Sequence, residues 1–413
     1  MEFTGRLGAL RHPAYFRYWS GSFASVGATQ LQIMAQGWLL FELTESAVAL
    51  GYLGAAASIP AILMTLFGGA LADRMNRKRL LMATSALVAM LMLILAWLDG
   101  ASLVSPWHII LIAGLVSFIS GFDWPTRQAI FPTLIHKDDM MSAVALNSII
   151  WQSSRMIMPA LGGVLIAIAD TWLVFALCGF GFITMFCVVA TLPVDGTPDR
   201  RPGSPIQQIK EGLDFIFSQQ LFLVFMSLSY AGMFFGMAHM QLMPAFAGLL
   251  ESSEQGYGLL ISATGVGSVI GTIAVGYFQS SARIGSFILL CAALSGVSIY
   301  IFAGVTGYLP VGYVTYALAI LALMAGSMMS SMFMIASMTI LQLNVPDHLR
   351  GRVMGFYGIT YSLMPLGGLL AGWIASMSSA PVAIFVAVTL YLIIITVVAV
   401  THREIRLLSA ATR

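Results

Sequence analysis

The chain has 413 residues, 59% of them hydrophobic and only 9% charged, with a mean hydropathy of +0.91 and a formal net charge of +2 at pH 7. Water cannot solvate a surface built from that composition, so a soluble globular protein is excluded and lipid is the expected solvent. The three cysteines, Cys178, Cys187 and Cys291, all fall within apolar stretches, so no disulfide framework, no metal site and no cofactor is expected.

Apolar stretches long enough to cross a bilayer, about 20 residues each, succeed one another along the chain. They are read at 18–41, 47–72, 80–98, 107–124, 141–168 and 171–192, then at 221–249, 257–279, 284–305, 311–341, 353–377 and 381–400. The prediction is an all-α membrane protein of twelve transmembrane helices. The polar stretch 193–220 separates two six-helix bundles, residues 1–192 and 221–413. It opens with turn formers (Pro193, Gly196, Pro198, Pro202, Gly203, Pro205) and then becomes amphipathic, with Ile206, Ile209, Leu213, Ile216 and Phe217 on one face. A helix lying in the inner interface is expected there, the other reading being a solvated linker helix.

Orientation follows from the bases. Arg6, Arg11 and Arg17 precede span 1, and a basic hinge at 74–79 joins spans 2 and 3. Arg127 and Lys137 join spans 4 and 5, and Arg200, Arg201 and Lys210 lie between spans 6 and 7. Arg283, Arg350, Arg352, Arg403, Arg406 and Arg413 continue the alternation. Of the 19 Lys and Arg residues, all but Arg155 thus fall on one side, which the positive-inside rule makes cytoplasmic. The opposite loops carry only acids: Glu42, Glu45, Asp99, Asp170, Glu251 and Glu254. Both termini are expected in the cytoplasm, and bases spread along a membrane face argue against a nucleic-acid partner. No cleavable signal peptide is expected, because the first apolar run is longer than a signal core.

The hinge reads Gly69-Ala-Leu-Ala-Asp73-Arg74-Met-Asn76-Arg77-Lys78-Arg79. It resembles the first signature motif of the major facilitator superfamily, G-x-x-x-D-R-x-G-x-(R/K)-(R/K). Asn76 stands where that family has Gly; Asn best tolerates a left-handed turn among the other residues, so such a turn is expected there. Met158-Pro159-Ala-Leu-Gly162-Gly163 recurs half a chain later as Met364-Pro365-Leu-Gly367-Gly368. The hinge Gly69 has a counterpart in Gly276, followed by the eroded Gln279-Ser280-Ser281-Ala282-Arg283. Parallel repeats of this kind are a property of the superfamily. Pro159-x-x-Gly162-Gly163 also resembles the end of the antiporter motif of its drug exporters, G-P-x-x-G-G, with Met158 and Ser154 in place of glycines of the longer pattern. Four further stretches resemble the enterobactin-exporter-like branch: Arg11-His-Pro-Ala-Tyr-Phe-Arg17-Tyr-Trp19, Asp123-Trp-Pro125-Thr-Arg127-Gln128, Ala145-Leu-Asn147-Ser148 and Leu349-Arg350-Gly351-Arg352-Val353. This resemblance covers essentially the whole chain and implies the major facilitator fold in a bacterial inner membrane.

It also implies an inner-gate latch. Asp73 would face the start of span 11, where a helix macrodipole stabilises a carboxylate by about 0.3 to 1 kcal/mol, and Arg77 would pair with Asp123. For Lys78 and Arg79 the topology rule alone is a sufficient reason. Arg155 lies 10 to 14 residues into span 5, near the midplane, where a charge costs at least about 2.5 kcal/mol. It therefore needs a cavity or a partner. Gly162, seven positions on, shares its stripe and turns Arg155 toward the junction of the halves, together with Trp151 and Gln152. An anionic or aromatic ligand suits this group; the other reading is a structural ion pair with Asp123. Gln30, Gln32 and Gln36 in span 1, and His239 and Gln241 in span 7, lie on cavity-lining helices of the superfamily, either as substrate ligands or as helix-packing hydrogen bonds. Met324, Met328, Met329, Met332, Met334 and Met338 crowd span 10, where packing is favoured over an apolar ligand surface.

Small residues mark where the halves meet. Gly162 and Gly163, with Pro159, lie at the depth of Gly265, Gly267 and Gly271 of span 8, and Gly51 and Gly54 of span 2 pair with Gly367, Gly368 and Gly372 of span 11. Gly265-Val-Gly267 is no nucleotide loop, since it sits mid-span with no preceding strand. The expectation is a monomeric secondary transporter that exports an amphipathic organic compound, siderophore-like or drug-like, by alternating access. Its partners would be a small-molecule substrate and membrane lipid. Proton antiport is expected, with Asp123 or His239 as carrier. An importer, a uniporter or a lipid flippase on the same fold are the alternatives. A membrane-embedded enzyme finds no H-E-x-x-H or G-x-S-x-G motif.

Overall fold

The computed structural model describes residues 8–72, 75–193, 205–278, 283–346 and 349–408, and all their regular structure is helical. In chain order the long helices are α1 (Pro13–Thr44), α2 (Ala47–Ala72), α3 (Arg77–Gly100) and α4 (Pro106–Ile130). The continuous stretch Met140–Thr191 holds α5 (140–169) and α6 (171–191). Then come α7 (Gln220–Leu249), α8 (Glu254–Phe278), α9 (Ile284–Tyr308), α10 (Tyr313–Asn344), α11 (Arg350–Met377) and α12 (Ala380–Thr401). At 1.5 Å per residue each is long enough to cross about 30 Å of hydrocarbon, and the chain is a multi-pass membrane protein.

Most of the predicted spans become one helix each, but two joints differ from expectation. Between α5 and α6 there is no loop: Asp170 alone reverses the chain by taking φ 73° and ψ 175°, and its carboxylate accepts the Thr171 amide at 2.7 Å. Nor is Asn76 left-handed. Its φ is −67°, and its side chain accepts the Arg79 amide at 3.0 Å, so it serves as the N-cap of α3. Asn fits because an uncapped first turn leaves orphan amides, which an Asn oxygen satisfies directly.

Span 7 is not one helix. It is α-helical over Gln220–Ala231, makes a π turn over Gly232–Gly236 and a 3-10 turn over Ala238–Met240, and resumes as Met243–Leu249. The linker helix, Pro205–Ser218, lies against the N-terminal end of α11: Gly212 leaves room for Phe356, and Glu211 pairs with Arg352. Its apolar face is rotated from the expected one. Ile216 is buried, but Phe217 is 67% exposed while Phe215 packs edge-on to Phe222.

Candidate functional site

In the half that carries the acidic loops, designated outer on the positive-inside expectation, the first six helices meet the last six backbone to backbone. A Cβ on Gly163 of α5 would lie 2.4 Å from the Glu254 carbonyl at the start of α8, and one on Gly258 of α8 would lie 2.4 Å from the Pro159 carbonyl. Gly265 is similarly pressed against Arg155 and Met156. On the other side, Gly54 of α2 meets the Pro365 carbonyl of α11, and Gly372 of α11 meets the Ala47 carbonyl of α2. Only glycine permits these approaches, which small-residue stripes provide in lipid. The register differs from the expected one, because α8 begins opposite Gly163 and not at the outer tip of α5. Gly162 faces Leu31 and Met34 of α1, while Gly267 and Gly271 pack on Met324 and Met328 of α10. Gly367 packs on the π turn at Phe234, and Gly368 on Gln241.

Polar bonds reinforce the seal. Pro159 has no N–H to donate, and the next amide, Ala160, donates to Ser262 Oγ of α8 at 2.9 Å. Tyr257 of α8 donates its hydroxyl to the Met34 carbonyl of α1 at 3.3 Å. The deepest such bond is Gln152 Nε2 to Thr272 Oγ1, 3.1 Å. Toward the inner ends the same faces are uncovered: Ala145, Ser148 and Ile149 of α5, Gly276 of α8, and Gly351 and Gly355 of α11 are exposed. A Cβ on any of those three glycines would meet no described atom within 4 Å. Among the described residues the helices are therefore closed at the ends that carry the acidic loops and parted at the ends that carry the bases.

Arg155 lies within one turn of Gln152, where the seal ends. It is half-buried, makes no hydrogen bond or ion pair among the described residues, and lies within electrostatic reach of Tyr361 on α11. Tyr361, which the sequence did not single out, is 57% exposed in mid-helix. One turn below Arg155, Trp151 stands edge-on to Trp124 of α4, ring centroids 5.4 Å apart at 74°. Trp124 is half exposed and belongs to a narrow cleft with Tyr18, Ser22, Gln128 and Asn147. Gln30 is half-buried on the side of α1 that also exposes Phe23 and Ile33.

The cleft is backed by a second cation. Arg127 is no loop residue: α4 runs on through Pro125 to Ile130, and Arg127, 8% exposed, donates Nε to Asp123 at 2.5 Å and Nη1 to Ser22 at 3.5 Å. Thr84 adds a weak bond to Asp123, 3.4 Å. The alternative reading of Arg155, an ion pair with Asp123, is absent among the described residues, because Arg127 already holds that carboxylate from one turn away in its own helix.

Other expected ligands lie away from the opening. His239 is fully buried; its Nδ1 lies 3.2 Å from the Gly236 carbonyl, its Nε2 has no partner among the described residues, and its ring faces Phe302 of α9. Gln36 is buried within the sealed outer half, its amide oxygen accepting from Gln32 at 3.3 Å. Gln241 donates Nε2 to the Leu50 carbonyl of α2 at 2.8 Å. Of the hinge motif, Asp73 and Arg74 lie outside the described residues, as do the surroundings of Gly69. Arg77 opens α3, Lys78 donates Nζ to the Leu192 carbonyl at the end of α6 at 2.7 Å, and Arg79 is exposed.

A family model described as transmembrane secretion effector matches residues 4–411. The chain is 24% identical to the staphyloferrin A transporter of Staphylococcus aureus, over 86% of this chain and 87% of that one. It is 25% identical to the multidrug efflux pump Tap of Mycolicibacterium fortuitum, over 93% and 94%. It is 24% identical to the enterobactin exporter EntS of Citrobacter koseri, over 84% and 81%. Among solved structures it is similar to the nucleoside transporter NupG, with a TM-score of 0.76, 13% identity and 94% and 99% of the two chains covered.

Proposed function

The chain belongs to the transmembrane secretion effector family, and from that premise we propose that it exports an amphipathic organic anion bearing an aromatic ring, by alternating access, in exchange for protons. Membership makes it a secondary transporter of the major facilitator fold and not an enzyme. The observation that carries the substrate class is Arg155, a guanidinium deep in the membrane with no acidic partner among the described residues. A charge at that depth is tolerated where it faces water or is neutralised by a ligand. Trp151, one turn (about 5.4 Å) below, offers a ring against which an aromatic part of the same molecule packs while its acid reaches Arg155. An enterobactin exporter and a multidrug efflux pump among the relatives support outward transport.

In this reading the bundles 1–192 and 221–413 rock about the site, with 193–220 between them and both termini in the cytoplasm. Asp73, facing the start of α11, and an Arg77–Asp123 pair form the inner latch. Asp123 is the favoured proton carrier: it is half-buried beside the opening, whereas His239 is enclosed on every side. The test is flux in proteoliposomes under an imposed pH gradient, comparing a fluorescent aromatic carboxylate with a fluorescent lipophilic cation. Gradient-driven transport of the carboxylate, lost in Arg155→Ala, is expected. Transport of the cation alone, or flux indifferent to the gradient, would defeat the reading.

A further inference from the structure

Gln241 sits at the end of the irregular stretch that interrupts α7, in the turn that follows Ala238–Met240. A regular helix would carry this residue round with the helical phase; the π turn and the 3-10 turn reset that phase. Gln241 comes to lie between two glycines of different helices. A Cβ on Gly368 of α11 would stand 2.3 Å from Gln241 Cβ, and one on Gly54 of α2 would stand 3.2 Å from Gln241 Cδ. The π turn is itself held by a third glycine, since a Cβ on Gly367 would collide with the Phe234 carbonyl at 1.7 Å. From this slot the amide crosses to the first six helices and donates to the Leu50 carbonyl at 2.8 Å.

Leu50 is buried within α2, where its carbonyl already lies in the helical ladder, and a second lone pair is free to accept. Nothing about the contact requires a ligand. It joins the two sets of helices that must separate on the outer side in any alternating-access cycle. We propose that Gln241 is a positioning residue of the outer gate: its bond to Leu50, aimed by the break in α7, biases the protein toward the outward-closed state and does not bind substrate. This is independent of transport direction and coupling ion, and only its flux readout rests on the aromatic carboxylate of the proposed function.

The experiment places spin labels at Glu45, in the α1–α2 turn, and at Glu251, in the α7–α8 turn, of the full-length protein without substrate. Both positions are exposed. Gln241→Met keeps the length of the side chain and removes the donor. The fraction with a long outer distance should then rise about two- to tenfold relative to the wild-type side chain, the range expected for one neutral hydrogen bond. Gln241→Asn, an amide one methylene short, should give the same shift and serves if Gln241→Met does not fold. A transported aromatic carboxylate should show an altered maximal rate with little change in its half-saturating concentration. An unchanged distance distribution in a folded variant overturns the proposal, and so does a change confined to the half-saturating concentration.

Discussion

At the scale of single residues, the two arginines of the inner opening are physically different objects. Arg127 is nearly enclosed and has Asp123 in hydrogen-bonding contact; removing one partner strands the other charge in a poor solvent. Arg127→Ala should therefore lower stability by about 2 to 3 kcal/mol, somewhat below the loss for a fully enclosed pair because Asp123 keeps some access to water. Adding Asp123→Ala should recover much of that loss, read as a double-mutant cycle in thermal unfolding. Arg155 has no such partner, so its cycle with Asp123 should be additive within about 0.5 kcal/mol. Arg155→Lys should leave stability nearly unchanged yet weaken binding of an aromatic carboxylate, since the planar fork and its stacking surface are lost while the charge remains. Strong stability coupling of Arg155 to Asp123 would reverse this assignment. Arg127 reads as a loop base in the sequence because span 4 ends at 124, just before Pro125. Asp123 and Arg127 are in fact spaced i, i+4, a pairing visible once the helix is allowed to continue past the proline.

At the scale of helices, glycine tells which surfaces touch but not with what offset. The stripes on α2, α5, α8 and α11 were legible because lipid offers no hydrophobic drive between helices, so close approach needs small residues. Their register was not, since it depends on where each helix begins relative to its neighbour. The break in α7 was also illegible as a break: hydropathy over 221–249 is continuous, and Gly232, Gly236 and Pro244 alone do not say that the hydrogen-bond ladder shifts. The geometry separates two glycines of the same composition class. Gly54→Ala sets a methyl 2.3 Å from the Pro365 carbonyl and should obstruct outer closure, at about 1 to 3 kcal/mol. Gly276→Ala meets no described atom within 4 Å and should be neutral or slightly stabilising, as Ala is preferred in a helix by up to about 1 kcal/mol. Accessibility of a cysteine at Glu45 to an impermeant reagent, together with thermal unfolding, distinguishes the two; equal behaviour would mean that the outer seal is not set by backbone approach.

At the scale of the whole molecule, one polarity runs through sequence and structure. The outer ends of the helices gather acids, with Glu42 in electrostatic reach of Asp99, Asp170 and Glu254, while bases line the opposite ends, where Lys78 and the Glu211–Arg352 pair tie helix ends and linker together. The closed side of the structure is the acidic side, so orientation and conformation are linked: if the bases lie in the cytoplasm, the parted helix ends open to the cytoplasm, as loading of an exported compound requires. The Cys187 side chain is exposed and must first be replaced. In that background, cysteines at Glu45 or Glu251 should label with an impermeant maleimide in intact cells, and those at Arg200 or Arg350 only after the membrane is breached. A cysteine at Ile149, 54% exposed below the seal, should be reached by the same reagent from the cytoplasmic side of inverted vesicles and not from outside. Labelling of Arg350 from outside would invert the topology, whereas labelling of Ile149 from outside with the correct loop pattern would instead show that the resting protein faces outward.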